Sequence, residues 1–98
     1  MLLNTGIKEQ VQAEICRFAE QYQLDKVVLF GSRARGDFHR SSDIDLAVWG
    51  GSIARFAVDV DEKTSTLLTY DVVDMNQDVS KELRDSIRRE GRVLYEKV

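Results

Sequence analysis

The apolar run Val27-Val28-Leu29-Phe30 stops at Gly31-Ser32, and this constrains the chain more than any other stretch. Consecutive apolar residues, β-branched in part, describe a buried strand. A glycine at its end marks a turn where the backbone can be approached closely. A buried strand needs partners beside it and helices over it, and the flanking sequence supplies both. Ile7, Val11, Ile15, Phe18 and Tyr22 recur at spacings of three and four, the stripe of an amphipathic helix. A second strand is predicted over about Asp43 to Trp49, ending at Gly50-Gly51. Ser52 is placed to cap a helix with apolar positions Ile53, Phe56, Ala57, Val60 and Leu67. A third strand covers about Thr69 to Met75, and Val79, Leu83 and Ile87 line one face of a helix from about Val79 to Glu90. Gly91 stands at the C′ position of that helix, and Arg92 to Glu96 reads as a last short strand.

This order, αβ-loop-βαβαβ, implies an α/β (α+β) class: one small mixed sheet of about four strands with helices packed mainly on one face. With 98 residues, 43% of them hydrophobic, the chain is read as a single domain over 1–98: an N-terminal helix (1–24), then sheet and helices (25–98). A domain of this size hides roughly two-thirds of its unfolded surface, enough to fold without staples. Its single cysteine excludes an intramolecular disulfide framework and points to a reducing, cytoplasmic setting. Cys16 falls opposite Ile7 on the helical wheel, so it is expected to be partly exposed and structurally idle. No apolar run approaches the ~20 residues of a membrane helix. The N-terminus lacks a basic-then-apolar signal pattern. A net charge of −3 argues against a general polyanion binder, so nucleic acid is not the expected partner.

The chemistry concentrates between Phe30 and Leu46. Backbone N–H groups in the Gly31-Ser32 turn, and at a helix start, favour an anion such as phosphate. Arg33 and Arg35 add positive charge beside it. Ten residues separate Ser32 from Asp43-Ile44-Asp45, whose two carboxylates share one face of a strand. Such a pair is a hard-oxygen site, suited to Mg²⁺ held together with substrate phosphates. The turn and the aspartates meet only if the first two strands are antiparallel. A helix joins the second strand to the third, which implies a parallel crossover. Asp71 then reaches the same end as a third carboxylate. Asp74, three positions on, points to the opposite face and is its competitor; Tyr70 and Val72 share that face with it, under the helices. His39 has no histidine partner for a zinc site. Arg84, Arg88 and Arg89 read as the solvated face and basic C-terminus of the last helix. Trp49 follows the face of Asp43 and Asp45, where it could stack on a base, but a core role is expected for it.

Gly31-Ser32-Arg33-Ala34-Arg35-Gly36, then Ser42-Asp43-Ile44-Asp45-Leu46, then an acidic residue on a later strand, resembles the DNA polymerase beta nucleotidyltransferase superfamily. Its minimal bacterial members, the MNT domains, are the nearer likeness. Tyr70-Asp71-Val72-Val73-Asp74 and the ending Arg89 to Glu96 extend the resemblance from about Asp25 to the C-terminus. It implies that Asp43, Asp45 and Asp71 hold two Mg²⁺ ions and carry catalysis. It implies that Gly31, Ser32, Arg33 and Arg35 bind the phosphates of a nucleoside triphosphate, expected to be ATP. Larger relatives carry a further helical domain that completes the substrate site. A second polypeptide is therefore expected, and the resemblance suggests a small helical HEPN-type protein from a neighbouring gene. The expected activity is transfer of AMP to that partner, as the antitoxin of a toxin–antitoxin pair. Modification of a small hydroxylated molecule, and neutralisation by binding alone, are the alternatives.

Overall fold

The computed structural model describes all 98 residues. Its elements are α1 (Glu9–Gln21), β1 (Lys26–Phe30), α2 (Ser32–Arg35), β2 (Ile44–Trp49), α3 (Ile53–Lys63), β3 (Tyr70–Asp74), α4 (Lys81–Glu90) and β4 (Arg92–Glu96). The four strands form one mixed sheet in the order β3-β2-β1-β4. β1 is antiparallel to both β2 and β4, while β2 and β3 are parallel and joined through α3. This is the α+β arrangement the sequence implies, with a short helix, α2, added directly after the first strand.

Alternation along β1 and β2 divides the core between two faces. Val27, Leu29, Ile44, Leu46 and Val48 point to the side covered by α1 and α3, where Val11, Ile15, Ala19, Phe56 and Val60 close the main core. Val28, Phe30 and Ala47 point to the other side and meet Ile87 of α4. Both faces of β1 are thus covered, which is why its sequence shows no polar alternation. No helix is long and apolar enough to cross a membrane.

Several local expectations change. α3 ends at Lys63, so Leu67 lies beyond it in the connection to β3 and is fully exposed. The helical spacing of Leu67 continued a pattern that the chain had already left. Ser52 precedes α3 without capping it through its side chain, whereas Ser80 does cap α4, accepting from the Leu83 amide at 3.2 Å. Gly91 does not adopt the left-handed C′ conformation; its φ is −65°. Glycine is needed there for space, since a Cβ would lie 2.4 Å from the Ile87 carbonyl oxygen and 2.6 Å from Val28 Cγ1. Cys16 is half-buried and not idle: its thiol donates to the Leu94 carbonyl at 3.4 Å, tying α1 to β4.

Candidate functional site

The antiparallel register places Phe30, the last residue of β1, opposite Asp45. The next residue, Gly31, has φ +76° and ψ −160°, a conformation that side chains rarely tolerate. Space forbids a side chain as well, since a Cβ on Gly31 would sit 2.1 Å from Asp45 Oδ2. The glycine turn and the aspartate strand therefore touch. From Gly31 the chain enters α2, whose Ala34 and Arg35 amides both return to the Gly31 carbonyl at 3.1 Å. Gly36, at φ +91°, closes α2 in a left-handed turn and sends the chain into the loop that leads to β2.

Parallel pairing sets Asp45 level with Asp71 on the neighbouring strand. Their carboxylates share the α4 side of the sheet with Asp43, two residues back along β2. Asp74 lies on the opposite face, level with Val48, and its Oδ1 accepts from the Asn76 amide at 2.9 Å in the following turn. The structure thus groups Asp71, and not Asp74, with Asp43 and Asp45. Asp45 feels this company: its pKa is pushed from 3.8 to about 6 by burial, then by the charges of Asp71 and Asp43, with Arg35 and Arg33 opposing. Asp43 is exposed and accepts a hydrogen bond from the Thr69 hydroxyl, at the foot of β3. No group of three or more His, Cys, Asp or Glu side chains forms a ready-made metal cage. Carboxylates spread along one sheet end match the other mode of binding, in which Mg²⁺ takes one or two carboxylates and completes its shell with phosphate and water.

The two arginines differ sharply. Arg33 is only 1% exposed. Its Nε donates to the Ser42 carbonyl at 2.9 Å and its Nη1 to the Thr5 carbonyl at 2.9 Å, while Nη2 reaches the carbonyls of Arg40 (3.2 Å) and His39 (3.5 Å). The guanidinium also stacks on Phe38, 4.8 Å from the ring centroid. Here the expectation of a phosphate-facing arginine meets a buried side chain with four of its five N–H donors spent on backbone carbonyls. Arg35 is exposed and bridges Asp37 (3.2 Å) and Glu90 (2.9 Å), linking α2 to the end of α4. Trp49 stands at the far end of the carboxylate face, packed on the smaller core cluster with Lys26 Nζ 5.5 Å from its ring centroid. His39 remains a loop residue on the surface. Thr69 and the burial of Arg33 escaped the sequence reading. A hydroxyl beside the strand that carries Asp71 is the only signal the former leaves.

The geometry is that of a glycine turn pressed on a carboxylate, with a second carboxylate in register beside it. The profile of the family described as polymerase beta, nucleotidyltransferase matches residues 13–98.

The chain belongs to that family.

It is accordingly a nucleotidyltransferase with the polymerase beta-like fold. A protein of Methanocaldococcus jannaschii, provisionally named a protein adenylyltransferase, is 34% identical to it over 99 aligned positions, covering 92% of this chain and 95% of the relative. Among solved structures, a toxin–antitoxin crystallised with AMP-PNP superposes with a TM-score of 0.72 at 24% identity, covering 88% of this chain and 73% of the other. An MNT antitoxin in complex with a tri-AMPylated Shewanella oneidensis HEPN toxin gives 0.64 at 20% identity, covering 93% and 74%. At these identities the structural likenesses speak for the fold of the nucleotidyltransferase.

Proposed function

We propose that this nucleotidyltransferase transfers AMP from ATP to a hydroxyl group on a HEPN-type helical protein, releasing pyrophosphate and acting as the antitoxin of the pair. The observation that carries the reading is the contact between Gly31 and Asp45, with Asp71 in register on the next strand. It brings a backbone cradle for phosphate against carboxylates that suit Mg²⁺. The donor set fits: Asp43, Asp45 and Asp71 offer hard oxygen ligands, and burial, then the charges of Asp71 and Asp43, raise the Asp45 pKa, a cost that a bound cation would offset. When bound, two such ions would neutralise the attacking and leaving oxygens of an in-line displacement.

The chain's own residues divide the remaining work. Gly31 and Ser32 hold the terminal phosphates, Gly31 by letting the backbone approach where a side chain would collide. Asp43 and Asp45 would hold the metals, which would supply positive charge to the triphosphate, and the Thr69 hydroxyl steadies Asp43. Asp71, on the flank of the cluster away from β1, faces the acceptor and takes up the proton of its hydroxyl. A bond forms between the acceptor oxygen and the α-phosphorus while the bond to the pyrophosphate oxygen breaks. Arg35 adds positive charge at the rim once its partners Asp37 and Glu90 yield.

The choice of a protein acceptor draws on the M. jannaschii relative named for protein adenylylation, and on the fold shared with an antitoxin bound to an AMPylated HEPN toxin. With ATP as donor and a HEPN-type partner, the proposed setting is the cytoplasm. Radiolabelled ATP, Mg²⁺ and the neighbouring gene's product test the reading: label should appear on the partner and vanish with Asp45→Asn. Label on a small hydroxylated molecule instead would make the chain the catalytic subunit of a modifying enzyme. Full protection of cells by Asp45→Asn would make it an antitoxin that acts by binding.

A further inference from the structure

The least expected group in the molecule is the guanidinium of Arg33, 1% exposed in a domain where arginine belongs on the surface. It forms no ion pair within reach of a carboxylate oxygen; its positive charge is answered by backbone carbonyls and, at longer range, by Asp45. Those carbonyls come from two separate pieces of chain. Thr5 belongs to the segment before α1, and His39, Arg40 and Ser42 belong to the loop between α2 and β2. The segment before α1 is itself pinned, because Gln12 accepts from the Leu2 amide at 2.9 Å and donates to the carbonyls of Leu2 (3.1 Å) and Ile7 (2.9 Å). Gly6 makes room for the arrangement: a Cβ there would lie 2.6 Å from Arg33 Nη1 and 2.4 Å from the Phe38 ring. The loop is also held from within, by the His39 amide to Ser42 Oγ at 2.8 Å and the Ser42 amide to the His39 carbonyl at 3.1 Å.

We infer that Arg33 is a positioning residue: it fixes the 39–42 loop to α2 and so sets where Asp43 and Asp45 stand against the Gly31-Ser32 turn. Ser42, whose carbonyl takes the Nε bond, is the residue immediately before Asp43. Arg33 sits one residue after Ser32. One planar side chain therefore ties the two halves of the site across the loop that separates them. A fork of five N–H donors can meet several carbonyls at once, and a lysine ammonium, with donors at one point, cannot. A role in setting geometry predicts an effect on kcat, since displacing reacting groups by ~1 Å can cost about 100-fold in rate. It predicts little effect on ATP affinity. A phosphate-binding arginine predicts the reverse.

The test uses the full chain with Arg33→Lys, which keeps the charge, and Phe38→Leu, which loosens the stack without touching any donor. Three quantities are read: amide hydrogen exchange without nucleotide, the Kd for Mg²⁺-ATP by calorimetry, and kcat for AMP transfer. The expected result is exchange about 10-fold faster or more, confined to residues 39–43 and to the segment around Thr5, the two pieces of chain that Arg33 joins. The Kd should stay within about 2-fold and kcat should fall about 10- to 100-fold in Arg33→Lys, with smaller changes in the same direction for Phe38→Leu. A weakened Kd with unchanged exchange would overturn the inference in favour of a phosphate contact. Exchange that rises evenly along the chain, or does not rise, would overturn it too. If Arg33→Lys fails to fold, Phe38→Leu decides alone. The inference rests on the transferase reading only for kcat. Absence of transfer by the wild-type protein would refute that reading, while the exchange pattern still judges the tie.

Discussion

Replacing Asp45 by Asn should make the metal-free protein more stable while abolishing its chemistry. Asp45 is partly buried between two other carboxylates, and its pKa is pushed from 3.8 to about 6. The folded state therefore holds the proton more tightly than the unfolded chain. This contribution to stability is fully present below pH 3.8 and is lost as pH rises through about 6. At 1.36 kcal/mol per pH unit the gap corresponds to ~3 kcal/mol. Partial solvent access reduces this, as does the loss of a counter-charge for buried Arg33, to about 1–2 kcal/mol. Asn has the same shape without the charge, so at pH 7.5 the variant should melt about 5–10 °C higher in EDTA, given the ~4–8 °C per kcal/mol typical of this size. Differential scanning calorimetry from pH 4 to pH 8 gives the check. The difference should shrink as pH falls from 6 towards 4, and Mg²⁺ with ATP should raise the wild-type melting temperature but not that of the variant. An unchanged or lower melting temperature for the variant at pH 7.5 would refute the claim that the carboxylates crowd one another.

Three further outcomes follow from particular contacts. Gly31→Ala meets both a Cβ position 2.1 Å from Asp45 Oδ2 and a φ of +76°; it should destabilise the fold by ~1–3 kcal/mol and lower transfer at least about 10-fold, read by urea unfolding and by assay. Asp71→Asn should reduce transfer to background, whereas Asp74→Asn should keep activity and only loosen the Asn76 turn, visible as faster amide exchange at Asn76. Glu14 accepts from the Ser65 amide and hydroxyl, both at 2.7 Å, and its pKa is lowered chiefly by those bonds. Its contribution is present above the ordinary carboxylate pKa and is lost as pH falls through the lower folded value. Glu14→Gln should therefore lower the melting temperature at pH 7 and flatten its acid fall below about pH 4.5.

The parts of the site that depend on strand periodicity were legible in the sequence. Asp43 and Asp45 share a face because side chains alternate, and Asp71 joins them because a helix-linked pair of strands runs parallel; both statements needed only spacing and connectivity. The contact of Gly31 with Asp45 followed from the antiparallel first pair. What spacing cannot carry is the fate of a side chain between elements far apart in sequence. Arg33 looks in sequence like any cation beside a glycine turn, and its burial depends on Thr5, Phe38 and Ser42 arriving around it. Leu67 kept the helical period after Lys63 had ended the helix, so periodicity misassigned it. The position of Gly91 suggests a helix-ending C′ glycine, although close packing on Val28 and Ile87 explains it. Thr69 gained its role only when β3 came alongside β2.

The most direct test of the central claim is intact-mass spectrometry of the neighbouring gene's product after incubation with this protein, Mg²⁺ and each of the four ribonucleoside triphosphates. The account predicts that the partner gains the mass of one adenylyl group (AMP less water) with ATP, and gains nothing with Asp45→Asn although the complex still forms. A stable complex with an unmodified partner under every triphosphate would contradict it.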